Sequence, residues 1–327
     1  MCNTSTAETN HAQQPTVSVI MATYNGEKYI REQLDSILQQ TYPIHEIIIQ
    51  DDCSTDGTMD ILASYAEQYP IIKVERNGQN QGCNVTFKVA AMRATGDFVA
   101  ISDQDDVWYS HKIATQVKAI GLHDICYSRL DRGATPDKTH IVEYKGFFEG
   151  NLFYGIAGHT MLVNRQFMQH EEYWIDDFWY DWSLLFHAHL NRGVVAVHQS
   201  LNWHRDYAES VTNSQHTQYY AKSKRKPTSQ PYVESLKNFR QVQQKPRFRR
   251  VYTYLYEHTN TPELARVHTM CRLMLSSRLI DFFHLCILCL KHRRRIYPSQ
   301  KTEGLMGRLR SFFYPGIFAY HCTLYDD

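Results

Sequence analysis

Apolar runs that stop on polar clusters recur along the first third of this chain. Thr16 to Thr23 (TVSVIMAT) lies between Pro15 and Tyr24-Asn25-Gly26, the pattern of a buried strand. His45 to Gln50, Ile71 to Val74 and Phe98 to Ser102 repeat it. Between these runs the apolar residues fall at helical spacing. Ile30, Leu34, Ile37 and Leu38 form one such face, and Val85, Val89 and Met92 another. Ile61, Leu62, Tyr65 and Tyr69 form a third, after an Asp56-Gly57-Thr58 turn and cap. The order β-α-β-α-β-α-β predicts the α/β class: a mostly parallel sheet with helices on both faces. Ligands in such sheets bind at the carboxyl ends of the strands. Those ends carry Ala22, Tyr24 and Asn25, then Asp51 and Asp52, then Ser102-Asp103-Gln104-Asp105-Asp106, so polar residues converge on one rim.

Beyond Trp108 the periodicity loosens. Tyr109–Leu122 and Asp181–Leu190 read as helices, and Asp124–Ser128, Gly158–Asn164 and Val194–His198 as strands. Residues 129–150 hold no clear period. Residues 1–14 read as a disordered lead-in, without the charged-then-apolar pattern of a signal peptide. Residues 15–218 read as one α/β domain, 219–231 as a linker rich in Lys, Ser and Pro, and 232–327 as a mainly helical region.

With 43% hydrophobic and 21% charged residues among 327, the chain can bury a substantial core. No run of 18 apolar residues predicts a spanning helix. The eight cysteines lack framework spacing. Cys286 and Cys289 form a CxxC in an apolar segment with no second pair, so buried thiols in a reducing compartment are expected rather than zinc. The net charge of +1 conceals an asymmetry. Residues 1–220 carry 15 basic against 27 acidic residues, and residues 221–327 carry 20 against 7. Residues 278–295 join the mostly apolar stretch 279–290 to a basic cluster, too short to span a bilayer. The segment fits either a core helix with a cationic end or a peripheral contact with an anionic membrane surface, and the basic balance of the tail favours the membrane. Nucleic acid is not expected, since the acidic body would be repelled.

Four constellations carry chemistry. Asp51 and Asp52 can accept hydrogen bonds from a base imide or a ribose hydroxyl. Asp103, Asp105 and Asp106 repel one another unless a cation sits among them, which points to a hard divalent metal holding a diphosphate. In Trp174-Ile175-Asp176-Asp177-Phe178-Trp179-Tyr180-Asp181-Trp182, aromatic faces suit sugar rings, and a desolvated Asp can act as a general base or cap a helix. In Leu201-Asn202-Trp203-His204-Arg205-Asp206-Tyr207, Arg205 is a natural diphosphate ligand.

The segments VSVIMATYNGEKYIREQLDSILQQTYPIHEIIIQDDCSTDGT at 17–58 and ATGDFVAISDQDDVW at 94–108, followed by GHTMLVNR and YDWSLL, resemble the family 2 glycosyltransferases of GT-A fold over residues 15–213. The SDQDDVW form looks most like the rhamnosyltransferase-type branch that builds bacterial capsule and O-antigen glycans. The resemblance implies a Rossmann-like GT-A domain and an inverting, metal-dependent transfer of sugar from a nucleotide-diphosphate donor to a hydroxyl of a growing, lipid-linked or free, glycan. It implies Asp52 as the reader of a UDP- or dTDP-type base. It implies Asp103 and Asp105 as the DxD pair for Mn²⁺ or Mg²⁺, Asp105 being the direct ligand. Asp181 becomes the base and Arg205 the diphosphate ligand. The expected place of action is cytoplasmic, peripheral at the inner face of the cell membrane. Two positions depart from the branch: Tyr180 replaces a histidine before the base, and Tyr207 replaces the histidine thought to help hold metal or diphosphate. His204 is the other candidate for that task, one face away on an extended strand. The alternatives are a catalytically inactive relative serving as a membrane-associated binding or scaffold protein, and a glycoside hydrolase, against which the Asp51-Asp52 rim argues.

Overall fold

The computed structural model of the protein describes residues 14–207, 229–298 and 302–324. The expected lead-in and most of the expected linker lie outside these residues. Val17–Thr23 (β1), Ile30–Leu38 (α1), Glu46–Asp51 (β2), Thr58–Gln68 (α2), Ile72–Arg76 (β3), Cys83–Met92 (α3) and Phe98–Ser102 (β4) follow the expected order. In space the strands run β3-β2-β1-β4, all parallel. Their residues alternate between two cores. Val19, Met21, Ile47, Ile49 and Ala100 face one with Ile30, Leu34 and Ile37 of α1. Ile20, Ile48, Val99 and Ile101 face the other with Phe87 and Ala90 of α3. A strand covered on both faces has no polar side to show, which is why these runs are continuously apolar.

The sheet continues through Val107–Trp108 (β5), Ile125–Gly133 (β6), Thr139–Val142 (β7), Met161–Asn164 (β8) and Val194–Arg205 (β9). The order from β4 is β8-β6-β9-β5, with β7 on β6. The β6–β9 pair is parallel and the other pairs of this half are antiparallel. Lys112–Ile120 (α4), Phe148–Asn151 (α5), Arg165–Met168 (α6) and Tyr180–Leu190 (α7) fill the connections. Three expectations change. The strand expected from Gly158 opens with a 3₁₀ turn over Gly158–Thr160. The stretch 129–150 holds the end of β6, all of β7 and most of α5, short pieces of which β7 is mostly exposed and α5 fully buried, so together they give no period. β9 runs on to Arg205 through a register shift opposite Ser128–Arg129, and its exposed His198 and Gln199 break the apolar alternation.

The short β5 pairs Val107 with Trp203 and Trp108 with Asn202. This ladder lays the end of β9 beside the acidic residues that follow β4.

Among the described residues the C-terminal part is helical: Gln230–Val233 (α8), Ser235–Gln244 (α9), Pro246–His258 (α10), Ala265–Leu275 (α11), Leu279–Lys291 (α12), Arg293–Ile296 (α13), Gly304–Phe312 (α14) and Tyr314–Leu324 (α15). These helices share one core with the sheet: Phe239, Phe248, Leu255, Met270, Leu285 and Phe318 cluster with Ile20, Val99 and Trp182. Phe248 meets Phe178 at 5.8 Å between ring centroids and Trp182 at 6.5 Å, and Phe318 meets Trp182 at 6.2 Å. The Tyr252 hydroxyl donates to the Leu152 carbonyl at 2.7 Å. Each such aromatic contributes about 1.5–3 kcal/mol by burial, so this seam is a major part of the fold's stability. Cys286 and Cys289 are buried thiols in the same core. No described helix is long and apolar enough to cross a membrane.

Candidate active site

The turn after β1 is clipped in place by side chains from elsewhere. The Tyr24 amide donates to Gln104 Oε1 at 2.9 Å, and Gln104 Nε2 donates back to the Tyr24 carbonyl at 3.0 Å. Asn25 sits at φ 50°, and its Oδ1 accepts from the Thr55 amide at 2.8 Å. Asn25 therefore shapes the turn with its side chain, while Tyr24 stays exposed and Ala22 is half-buried beside it. Gln104 holds the β1 turn to the acidic loop, a role that sequence reading missed.

The two carboxylates after β2 divide their work. Asp51 is fully buried, and accepts from Thr23 Oγ1 at 3.0 Å, Ser54 Oγ at 2.5 Å and the Ser54 amide at 2.9 Å, with Arg76 Nε at 3.5 Å. Asp51, expected among the ligand-binding residues, here uses its carboxylate to fasten the turn after β2. Asp52 accepts from Asn77 Nδ2 and the Gln81 amide on Oδ1 and from the Gly82 amide on Oδ2, each at 2.8 Å. It thus orders the loop into α3 and keeps one direction on Oδ2.

The acidic loop meets β9 and the 3₁₀ turn at a cluster that local sequence does not contain. One ligand-type atom from each of Asp103, Asp106, His159 and His204 lies within 4.8 Å of the others. Asp106 is fully buried and bridges both rings, with Oδ1 to His204 Nδ1 at 2.8 Å and Oδ2 to His159 Nδ1. Asn202 Nδ2 adds a donor to Asp106 Oδ2 at 3.0 Å. Burial alone would raise Asp106, but the two imidazoles outweigh it and hold the carboxyl well below the usual range. Burial opposes charge on His159 as well, yet Asp106 and Asp103 raise it. Burial pushes Asp103 up, with Asp106 and Asp105 adding to it against the pull of His159 and His204. Beneath the cluster the fully buried Lys112 donates from Nζ to the His159 carbonyl at 3.2 Å and stacks over Trp108 at 5.0 Å. Burial lowers Lys112 to about 8 against the pull of Asp106.

Asp105, expected with Asp103 as the metal pair, stands outside this group, and Asp106 is the carboxylate that converges with Asp103. Asp105 Oδ2 instead accepts from the Tyr207 hydroxyl at 2.5 Å. The alternation along β9 explains the partition. Asn202 and His204 face Asp106, and Trp203 and Arg205 face away. His204 therefore occupies the histidine position of the cluster, and Tyr207 holds the neighbouring carboxylate. Arg205 packs over Trp203 at 4.3 Å and Tyr29 at 4.5 Å, and its guanidinium binds Glu32 and the Asp105 carbonyl.

Asp181 is the second residue of α7, so it lies within the first turn rather than capping it. Its Oδ1 accepts from the Trp182 amide at 2.8 Å. Burial pushes it up to about 6, opposed by the Trp182 and Gly158 amides and by His159. Tyr144 is shifted upward by burial and then by Asp181, with Asp106 and Asp103 adding to it, so the charges of all three carboxylates reach its hydroxyl. Tyr180 is buried, tilted against Phe87 at 4.8 Å and stacked on Trp174 at 5.7 Å. Of the expected sugar-facing tryptophans, Trp174 and Trp182 are core residues and Trp179 alone is exposed.

Residues 18–173, just under half of the chain, match the family model described as "Glycosyl transferase family 2". The "Putative teichuronic acid biosynthesis glycosyltransferase TuaG" of Bacillus subtilis (strain 168) is 43% identical over 105 residues, 32% of this chain and 42% of that protein. The "dTDP-rhamnosyl transferase RfbG" of Shigella flexneri is 37% identical over 115 residues, 33% of this chain and 39% of that protein. The match thus spans about two fifths of these relatives' length. Among solved structures, S. aureus TarS 1–349 in complex with UDP-GlcNAc aligns with a TM-score of 0.57 at 16% identity, over 95% of this chain and 90% of that one. The mannosyltransferase PcManGT from Pyrobaculum calidifontis, in complex with GDP-Man and Mn²⁺, aligns with the same TM-score and identity, over 97% and 89%. The fold is that of the GT-A transferases.

Proposed function

We propose that the protein is an inverting, metal-dependent glycosyltransferase that moves a sugar from a UDP- or dTDP-linked donor to a hydroxyl of a bacterial surface glycan. The observation that carries this is the Asp103–Asp106–His159–His204 cluster in a family 2 domain, with His159 near enough to Asp181 to act on its carboxyl. Asp181 takes the acceptor hydroxyl proton as that oxygen bonds to the anomeric carbon, while the bond from that carbon to the diphosphate oxygen breaks on the opposite face. With its carboxyl raised to about 6, Asp181 is ionised at neutral pH yet basic enough to accept a proton. Asp103, Asp106, His159 and His204 offer the mixed oxygen and nitrogen donors that suit Mn²⁺. A divalent ion held there supplies Lewis-acid neutralisation of the leaving diphosphate. Arg205, on the other face of β9 and beside the Asp105 carbonyl, adds positive charge once it exchanges Glu32 for phosphate. The open direction on Asp52 Oδ2 fits the imide N–H of uracil or thymine. TarS with UDP-GlcNAc, PcManGT with Mn²⁺ and RfbG as a dTDP-rhamnosyl transferase support the donor and metal class. The acceptor we assign is a glycan, free or lipid-linked, at the inner face of the membrane, with the basic C-terminal region toward the lipid.

A thermal-shift screen of nucleoside diphosphates tests this. UDP or dTDP should raise the Tm when Mn²⁺ is present and much less when it is chelated. Equal shifts with and without metal, or no shift with any nucleotide, would remove the assignment. The inactive-relative reading draws on Tyr207 occupying Asp105 and Glu32 occupying Arg205. Turnover of a nucleotide sugar with Mn²⁺ decides against it.

A further inference from the structure

The segment 278–295 fits two descriptions from sequence, and the structure gives each of them one side of the same helix. On α12, Phe282, Leu285, Cys286 and Cys289 are buried in the core. Leu279, Ile280, Phe283 and Ile287 point the other way and are exposed, Ile280 at 66%. A helix that ends its apolar stripe at the core does not spend isoleucine and phenylalanine on solvent. The next long helix does the same. α14 packs against α12. It buries Gly307 and Ser311 while exposing Leu305 at 83%, Met306 and Leu309. Half of the exposed large hydrophobic residues of the described chain, seven of fourteen, thus lie on two adjoining helices. Scattered exposed apolar residues need no explanation, but a concentration of this kind marks an interaction surface.

The charges around it narrow the occupant. Residues 278–310 contain eight Lys and Arg against two acids, Asp281 and Glu303. Both acids are already engaged: Asp281 by Ser276, Arg272 and Arg278, and Glu303 by Arg293 and Arg294. Lys291, Arg308 and Arg310 are exposed on the same two helices. A second copy seated on this face by two-fold symmetry would set this basic surface against itself, which costs affinity. An anionic lipid surface meets both halves of the pattern, headgroups for the arginines and acyl chains for the isoleucines and phenylalanine. The acidic body of residues 1–220 favours the same orientation by repulsion.

We infer that the outer faces of α12 and α14 together form a monotopic docking face that seats in an anionic phospholipid bilayer, Phe283, Ile287 and Leu309 being its inserting residues. This deepens the proposed membrane-side function and rests on it for its purpose.

Flotation of the full-length protein with vesicles tests it. The protein should float with phosphatidylcholine mixed with phosphatidylglycerol and remain behind with phosphatidylcholine alone. The triple substitution Phe283→Ser, Ile287→Ser, Leu309→Ser should lower the partition coefficient at least about tenfold. Arg308→Glu with Arg310→Glu should weaken binding and flatten its dependence on ionic strength. All five positions are exposed, and an unchanged Tm verifies that each variant is folded. Absence of wild-type flotation, or equal flotation of the triple variant, overturns the proposal. So does a vesicle-free dimer that the triple substitution makes monomeric, since the face would then join two copies. Donor hydrolysis is read separately. Hydrolysis without vesicle binding sinks the docking face alone, and vesicle binding without hydrolysis of any nucleotide sugar sinks the transferase reading alone.

Discussion

Asp181 has opposite effects on stability and on the proposed reaction. Its carboxyl is raised by burial from the ordinary 3.8 to about 6. A raised carboxyl favours the folded state while neutral and opposes it once ionised, so its ionisation in the native protein costs stability above about pH 6. Asp181→Asn removes that cost, on the order of 3 kcal/mol at most. We expect the variant to lose transfer, to bind donor nucleotide as before, and to melt no lower than wild type at pH 7.5. The gain should vanish below about pH 4, where both forms are neutral. In wild type the rate of transfer should rise with pH through about 6, as measured by initial velocities at saturating donor. A second expectation concerns Asp106. It fastens His159 and His204 by Nδ1, and loss of such an orienting carboxylate typically costs 10–100-fold in metal affinity. Mn²⁺ titration should show a loss of that order in Asp106→Asn and His204→Ala, and a smaller one in Asp105→Asn. An Asp105→Asn loss larger than that of Asp106→Asn would return the metal to the Asp103–Asp105 pair.

The elements legible in the sequence are those whose signal is local. β1, β2 and β4 are apolar runs because both faces are covered, and each ends on the polar residues that make the rim. The cluster itself was legible in part. Asp103 and Asp106 are close in the chain and His204 stood as a candidate beside Tyr207, but His159 arrives through the 3₁₀ turn beside β8, and no local period encodes that approach or the β5–β9 ladder that brings His204 to the loop. For the same reason Glu32 and Gln104 went unnoticed as partners of Arg205 and Tyr24. One glycine shows how closely the rim's supports are packed. Gly96 precedes β4, and a Cβ there would lie 2.7 Å from the Ser18 backbone nitrogen and 3.1 Å from the Thr16 carbonyl. Gly96→Ala must push β4 from β1, and should destabilise the protein by about 1–3 kcal/mol in a urea titration. Stability equal to wild type would show that the two strands can yield there.

At the scale of the whole molecule, charge and core give different divisions of the chain. Charge separates an acidic body from a basic tail. The core does not separate them, because Phe248 and Phe318 of the tail pack on Phe178 and Trp182 of the body. A chain ending at residue 228 would leave that seam open to water, and should be insoluble or melt far below the full chain when compared by calorimetry. Normal melting of the short chain would make the tail an independent domain after all. The seam reaches the chemistry through α7. This helix carries Asp181 in its first turn, while Trp182, next along it, packs against Phe248 and Phe318 of the tail and against Phe186 of the same helix. A carboxylate mounted on so fixed a support cannot follow an acceptor that binds askew. In the proposed reaction only the hydroxyl that arrives in line with it reacts. The protein should therefore yield a single regioisomer, even from an acceptor sugar that presents several hydroxyls of similar reactivity.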